Sequence, residues 1–432
     1  METFEIIDIT EDGKGIAKKD SLVYFIKGAR LGDIVTITNE KKKSNHIEAE
    51  IKDIFKKSNF KIISNCKYFP RCQNCAFQDI AYKKELEFKK NKVINNLRRI
   101  GNFDDIEELC KEDVTIAGSD TLGYRNKVTL KIKDGKIGYF KRKTNELIEI
   151  DKCIIANEKI NEIIYLILNN KNINLKYFSE IMIRVIDNNI QLQFTLFKKY
   201  NIKDILKLEK SNLIKLKDNI ENKKCNIEIG IKQDNKYIEI IKDGNEMDFL
   251  NYKLCIHPNS FFQVNKKQAE KIYSDILNTV KNENVSTKTL IDLYSGVGVS
   301  TILFSKIFKN IIAIEINKEA IKMATENIKL NNINNAKCIL GKAEEEIVKI
   351  DIPKGSYAFV DPPRAGLDKK VIDKIIQSGV DNIIYMSCNS SSLARDLKIF
   401  KENMYDIHKI SIYDMFPRTL HVETVVYISK NN

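Results

Sequence analysis

From about residue 255 the chain alternates between two kinds of apolar pattern. Short apolar runs at 289–294, 310–316, 336–340, 357–361 and 382–388 read as strands. Stretches with helical spacing at 266–280, 299–309 and 317–331 lie between several of them. This strand-then-helix rhythm predicts a doubly wound, mainly parallel α/β sheet, which binds ligands at the carboxyl ends of its strands. The last two apolar runs, 410–413 and 424–428, predict an antiparallel pair closing one edge. The other end of the chain has a different texture. Runs at 4–9, 22–26, 33–37 and 47–51, punctuated by Gly13, Gly15, Gly28 and Gly32, predict a small β-barrel of the open, oligonucleotide-binding kind. Residues 80–100 predict a helix, with Leu86, Val93, Ile94 and Leu97 near one face and Gly101 as its stop. From 122 to 250 the pattern is mixed α+β. Three domains are expected: 1–57, 58–254 and 255–432, with a helical segment near 80–115 as a candidate interruption of the second.

Composition adds a setting. A chain of 432 residues exceeds what one core usually spans, and its apolar fraction of 43% is that of a folded protein. There is no apolar stretch of membrane-spanning length, and the first residues lack an apolar signal core. A cytoplasmic location is expected, with no membrane and no obligate protein partner. Net charge is +13, and residues 61–100 hold 10 basic against 3 acidic side chains. That excess is either a solvated helix face or the footprint of a polyanion, nucleic acid first.

Chemistry concentrates in the last third. Cys388 ends the run Ile383-Ile384-Tyr385-Met386-Ser387 and precedes Asn389; Asp361-Pro362-Pro363-Arg364 follows another strand; Glu423 opens the last one. A thiol and carboxylates near strand ends suit addition of sulfur to an electron-poor ring, with a base to take a proton afterwards. Asp292-Leu293-Tyr294-Ser295-Gly296-Val297-Gly298 joins a strand to a helix, and Glu315 closes the next strand, where a carboxylate can take both ribose hydroxyls of an adenosine cofactor. Thr301 stands where a dinucleotide fingerprint would have its third glycine, which tilts the choice to S-adenosylmethionine over a nicotinamide. Cys66, Cys72 and Cys75 form C-x5-C-x2-C, with Cys153 as a distant fourth thiol, a set able to enclose a metal. Cys110, Cys225, Cys255 and Cys338 have no such pattern and read as core residues.

Taken together, Ser260-Phe261-Phe262-Gln263-Val264-Asn265, Asp292 to Gly298, Asp361 to Gly366, Ser387-Cys388-Asn389 with Leu393-Ala394-Arg395-Asp396, and Asp414 to Arg418 with His421 to Val425 resemble the RNA uracil-5-methyltransferase family. The similarity is to its large-subunit ribosomal RNA branch in particular, and the first 57 residues resemble that branch's TRAM domain. The resemblance implies a C-terminal Rossmann-like class I methyltransferase domain. It also implies cofactor contacts at Gln263, Tyr294, Glu315 and Asp361, a nucleophile at Cys388 and a proton-abstracting base at Glu423. It places a [4Fe-4S] cluster on Cys66, Cys72, Cys75 and Cys153, with zinc as the runner-up. The implied activity is S-adenosylmethionine-dependent methylation of the 5-carbon of a uridine in 23S ribosomal RNA. The alternatives are a transfer RNA uracil-5-methyltransferase and a non-catalytic RNA-binding protein on the same scaffold. Many relatives have Cys where Ser295 stands. Phe261 or Phe262 is expected to stack on a flipped base. Tyr124-Arg125-Asn126-Lys127 and the basic helix are expected to touch the RNA backbone.

Overall fold

The computed structural model describes residues 2–10, 13–104, 106, 114–115, 120–220, 225–281 and 285–431. Contacts divide the chain into two compact units. One comprises residues 1–91, 139–148 and 418–420; the other comprises 92–138, 149–417 and 421–432. Among the described residues no helix is long and apolar enough to cross a membrane.

The first unit carries a six-stranded sheet in the order Phe4–Glu5, Ile34–Lys42, Ile47–Lys56, Leu22–Lys27, Gly15–Lys19, Asp8–Ile9. Its two end strands are halves of one segment. Ile6 donates its N–H to Asp33 O (2.9 Å) and Ile7 to Ile16 O (2.8 Å), so residues 4–9 pair with both edges and leave neither open. Alternate residues point inward, as a two-residue period requires, and Phe4, Ile6, Ala17, Tyr24, Ile26 and Val35 form the interior. The Gly15–Lys19 strand was absent from the expectation because Ala17 is its one inward apolar side chain with a Cβ between two lysines and a glycine.

Helix Tyr82–Arg99 begins in this unit, and its charge is not all solvated. Lys89 Nζ donates to Glu85 Oε1 at 2.7 Å with both side chains almost wholly buried. Glu85 Oε1 also accepts the Arg418 N–H (2.6 Å), and the Arg418 guanidinium donates to Ile80 O (2.8 Å). A buried charge persists only with partners of this kind. Lys89 is thereby withdrawn from the polyanion-binding face assigned to this helix.

The described residues hold three more sheets, one of them the two-stranded pair Glu246–Phe249 and Tyr252–Cys255. The seven-stranded one runs Leu147–Glu149, Lys136–Phe140, Lys127–Lys133, Phe178–Ile186, Asn189–Leu196, Asn226–Gln233, Lys236–Lys242. Asn189–Leu196 and Asn226–Gln233 are parallel, and helix Ile202–Ile220 lies in the crossover such a pair needs. The eight-stranded sheet runs Ala336–Leu340, Asn310–Glu315, Thr289–Leu293, Tyr357–Val360, Asn382–Ser387, Glu423–Lys430, Tyr405–Tyr413, Val114–Thr115. The first five are parallel. Glu423–Lys430 runs antiparallel to both its neighbours. The chain builds outward from Thr289–Leu293 in one direction and then restarts at Tyr357–Val360 in the other, which makes a topological switch point between those strands. All of Tyr357–Val360 is buried, as a strand covered on both faces must be.

Tyr385 shows how the interior of this sheet meets its rim. Its hydroxyl donates to Asp396 Oδ2 (2.7 Å), which also accepts the Leu367 N–H (2.8 Å). Both side chains are fully buried. Tyr385→Phe removes one donor to a buried carboxylate, so urea unfolding should register a loss of about 1.5–3 kcal/mol.

Candidate active site

Cys388 lies between the strand Asn382–Ser387 and the helix Ser390–Glu402, whose N-cap is Asn389; the Asn389 side chain accepts the Ser391 N–H at 3.1 Å. In the antiparallel pair Met386 faces Val425 and Ser387 faces Thr424. One more step in that register sets Cys388 across from Glu423. Glu423 is 2% exposed, and its Oε1 makes no hydrogen bond among the described residues. Burial, reinforced by the charge of Asp361, holds its carboxyl well above the usual range.

Asp361 follows Tyr357–Val360, and the paired prolines behind it fix the turn. Burial and the neighbouring Asp292 push its carboxyl up to about 7. The turn is tied to the segment after the thiol: Arg364 O accepts from Asn389 Nδ2 (2.9 Å) and from Ser392 Oγ (3.0 Å). Gly366 sits at φ +83°, where a Cβ would stand 2.5 Å from Asp396 Oδ2, so only glycine lets the turn close here. The Arg364 guanidinium lies 3.2 and 3.3 Å from the His421 ring nitrogens.

The thiol answers to all of these charges. Burial raises Cys388 first, Glu423 and Asp361 raise it further, and Arg364 offsets part, leaving it at about 11. Two more groups belong to this cluster. Asp292 is buried, accepts from Ser300 Oγ (2.8 Å) and Thr301 Oγ1, and is still pushed by burial to about 7. Tyr273 is held well above its usual range by burial and then by Asp361, Asp292 and Glu423, so a protonated phenol stands beside three carboxyls. Neither residue was singled out from the sequence. Asp292 was read only as the start of a turn motif, and Tyr273 looks like any apolar position of helix Lys266–Lys281.

The cofactor positions fall on neighbouring strands. Tyr294 follows Thr289–Leu293, Glu315 ends Asn310–Glu315, and Asp361 follows Tyr357–Val360, three adjacent carboxyl ends. Tyr294, Gly296 and Gly298 all have positive φ, and the space where a Gly296 Cβ would stand is open for 4 Å. Glu315 Oε2 accepts the Gly296 N–H (2.9 Å), which locks the carboxylate against the turn. Ser295 Oγ and Asp292 Oδ1 are buried without hydrogen-bond partners among the described residues. An open glycine cradle, a strand-end carboxylate and orphaned polar atoms fit an adenosine cofactor. Gln263 is buried on the loop before helix Lys266–Lys281, its carbonyl held by Asn126 Nδ2 (3.0 Å).

Other expectations fare differently. Phe261 is 64% exposed and Phe262 only 4%, so Phe261 alone is available to stack. Asn126 is buried, and the Tyr124 hydroxyl donates to Pro417 O (2.9 Å), so both have tasks inside the protein rather than on an RNA surface. Cys255 and Cys338 pack half-buried against the core and Cys225 is half-buried, while Cys110 lies outside the described residues. The metal centre stays an expectation. Cys66, Cys72, Cys75 and Cys153 are all half-buried, and among the described residues no group of three or more His, Cys, Asp or Glu is placed to hold a metal ion. Three of these thiols lie on an irregular loop, where spacing in sequence does not dictate spacing in space.

A doubly wound sheet with this strand-end site is that of an S-adenosylmethionine-dependent methyltransferase. Residues 81–431 match the family described as tRNA (uracil-5-)-methyltransferase, and the chain belongs to that family. It is 34% identical over 451 aligned positions to an uncharacterised RNA methyltransferase of Clostridium acetobutylicum, covering 98% of this chain and 96% of the relative. A second such relative, from Caldanaerobacter subterraneus subsp. tengcongensis, is 31% identical and is covered over 98% of its length. Among solved structures, the Pyrococcus abyssi tRNA (uracil-54, C5)-methyltransferase in complex with S-adenosyl-L-homocysteine shares the fold at a TM-score of 0.73 and 23% identity, over 99% of this chain and 100% of that one.

The electrostatics give a direct expectation. A thiolate is the reactive form of cysteine, so iodoacetamide labelling of Cys388 should rise with pH to a midpoint of about 11. Glu423 is one of the groups that raise the thiol, so Glu423→Gln should lower the midpoint. Peptide mass spectrometry across a pH series reads both values; an unmoved midpoint would separate the two groups.

Proposed function

We propose that this chain transfers a methyl group from S-adenosylmethionine to the 5-carbon of a uridine in 23S ribosomal RNA. What supports the chemistry is one observation: Cys388 directly follows the register pair Ser387–Thr424, next to Glu423, and its thiol feels the charges of both Glu423 and Asp361. The 5-carbon of uracil is too weak a nucleophile to take a methyl group unaided. Cys388 loses its proton to the carboxyl set, in which burial and Asp292 raise Asp361 so that it takes a proton more readily than an ordinary carboxylate. The sulfur then adds to the 6-carbon, and the electrons of the 5,6 double bond move toward the 4-oxygen as an enolate. S-Adenosylmethionine, when bound, supplies an electrophilic methyl on a cationic sulfonium, held by Gln263, Tyr294, Glu315 and Asp361. The 5-carbon would form its new bond at the methyl as the methyl–sulfur bond breaks, the electron pair leaving on the sulfur of S-adenosylhomocysteine. Glu423 next removes the 5-proton, the double bond re-forms, and the carbon–sulfur bond breaks to return Cys388. Its raised carboxyl suits this step, since a base with higher proton affinity holds what it abstracts. The covalent route divides one hard substitution into easier steps.

The closed six-stranded sheet of the first unit is read as a TRAM-type barrel that grips RNA. This barrel and the cysteine set occur together in the ribosomal RNA branch that the sequence resembles, and together they favour ribosomal RNA. The Pyrococcus transfer RNA enzyme aligns over 99% of this chain, so that sheet does not by itself exclude a transfer RNA substrate. Transfer RNA uracil is therefore the second reading. A [4Fe-4S] cluster on Cys66, Cys72, Cys75 and Cys153, with zinc as the runner-up, is a separate proposal, supported by the four thiols and by the family resemblance that places it there.

Cys388→Ala should abolish methyl transfer while S-adenosylhomocysteine binding stays within about twofold by calorimetry. Glu423→Gln should accumulate an RNA–protein band that survives denaturing electrophoresis; a variant that turns over normally excludes Glu423 as the base. Tritiated methyl transfer to 23S ribosomal RNA and to transfer RNA transcripts separates the two substrates, and label in neither rejects both. Iron and acid-labile sulfide in anaerobically purified protein settle the cluster: about four of each support it, and none rejects it.

A further inference from the structure

The loop that carries Phe261 and Gln263 is fastened from below by a buried polar network in the seven-stranded sheet. Arg184, on strand Phe178–Ile186, is 2% exposed, and its guanidinium donates to His257 O (3.2 Å), Ser260 O (2.7 Å) and Gln191 Oε1 (2.8 Å). Gln191 Nε2 donates to Ile256 O (2.6 Å) and to Glu228 Oε2 (2.8 Å), and Tyr237 closes the set by donating to Glu228 Oε1 (3.1 Å). Asn126 holds the far end of the loop, with its backbone N–H on Val264 O (2.8 Å) and its side chain on Gln263 O (3.0 Å). Five loop carbonyls, at 256, 257, 260, 263 and 264, are thus taken by this sheet. Between those anchors Phe262 is sunk against Phe249 (ring centroids 5.7 Å), while Phe261 stands exposed.

Phe261 is thus an exposed ring on a loop anchored at both sides. A free loop would lose entropy on ordering around a ligand, whereas a loop held in advance does not. We infer that Arg184 is a positioning residue: it fixes the 256–260 arm so that Phe261 is presented, already ordered, as the platform on which the extruded pyrimidine stacks. The inference rests on the uridine-methylating reading above. It assigns the seven-stranded sheet a task in substrate placement. The planar fork of arginine suits the role, because it reaches two carbonyls and an amide oxygen from one rigid group, which lysine cannot.

The test is a double-mutant cycle between Arg184 and Phe261, read in the full-length enzyme with RNA as the varied substrate. Arg184→Lys keeps the buried charge and is the variant least prone to unfold; Arg184→Met is run beside it. In the wild-type background Arg184→Lys should lower kcat/KM for RNA at least tenfold, with S-adenosylhomocysteine affinity changed less than threefold. In the Phe261→Ala background the same change should cost less than twofold. Equal losses in both backgrounds, or wild-type efficiency in Arg184→Lys, would overturn the proposal. Hydrogen exchange of the amides at 257–262 gives a readout independent of activity. It should quicken at least tenfold in Arg184→Lys while strand Phe178–Ile186 stays protected, and unchanged exchange refutes the anchoring. A wild-type enzyme that methylates no uridine defeats the functional reading itself, and the exchange arm alone then decides whether Arg184 holds the loop.

Discussion

The site depends on one strand being inserted backwards into a parallel sheet. Glu423–Lys430 lies between Asn382–Ser387 and Tyr405–Tyr413 and runs antiparallel to both. Its amino end is therefore level with the carboxyl ends of the parallel strands, where a doubly wound sheet collects its ligands. A parallel insertion would have sent Glu423 to the opposite rim. Because the register is set by the alternation of buried side chains, a slip of one residue would turn Glu423 to the other face and break the packing of Val425, Tyr427 and the residues between. The same hydrogen bonds that finish the core thus place a carboxyl against a thiol.

That placement is electrostatically unfavourable in the resting protein. Asp292, Asp361 and Glu423 are three carboxyls drawn into one interior, and burial raises all of them while each opposes its neighbours. Such groups titrate as a set, and near neutrality they share protons rather than carry full charge. Arg364 supplies the one cationic influence that lowers the Cys388 thiol among the groups bearing on it. Positive charge on an arriving donor and an electron-poor ring would relieve what the protein alone leaves strained. This is the usual economy of an active site, in which groups poorly suited to the folded state are suited to the reaction.

The catalytic half was legible because it obeys local rules. Near-continuous apolar strands, the Gly296 and Gly298 turn and the Asp361-Pro362-Pro363 turn each announce themselves within a few residues. The helix expected over 299–309 stops at Phe304 in the structure, a boundary that helical spacing alone could not set. Helices Glu158–Asn169 and Ile202–Ile220 were not separated from the mixed central region, where no glycine or proline marks their ends. What stayed hidden is whatever depends on distant partners. Lys89 reads as one more exposed lysine until Glu85 and Arg418 are placed beside it. Arg184, Gln191 and Glu228 look like polar residues of a half-exposed sheet, and only the fold shows them beneath the 256–264 loop. The four metal-set cysteines are a different case: their spacing is legible in the sequence, and each is half-buried in the structure.

The most direct measurement of the covalent chemistry uses RNA in which uridine is replaced by 5-fluorouridine. Fluorine at the 5-carbon cannot be removed as a proton, so an enzyme that adds sulfur to the 6-carbon and methylates the ring must stall with the RNA attached. Digestion and mass spectrometry should find the methylated fluoropyrimidine on the peptide containing Cys388 and on no other. Trapping on a different cysteine, or product formation with no adduct, would contradict the role assigned to that sulfur.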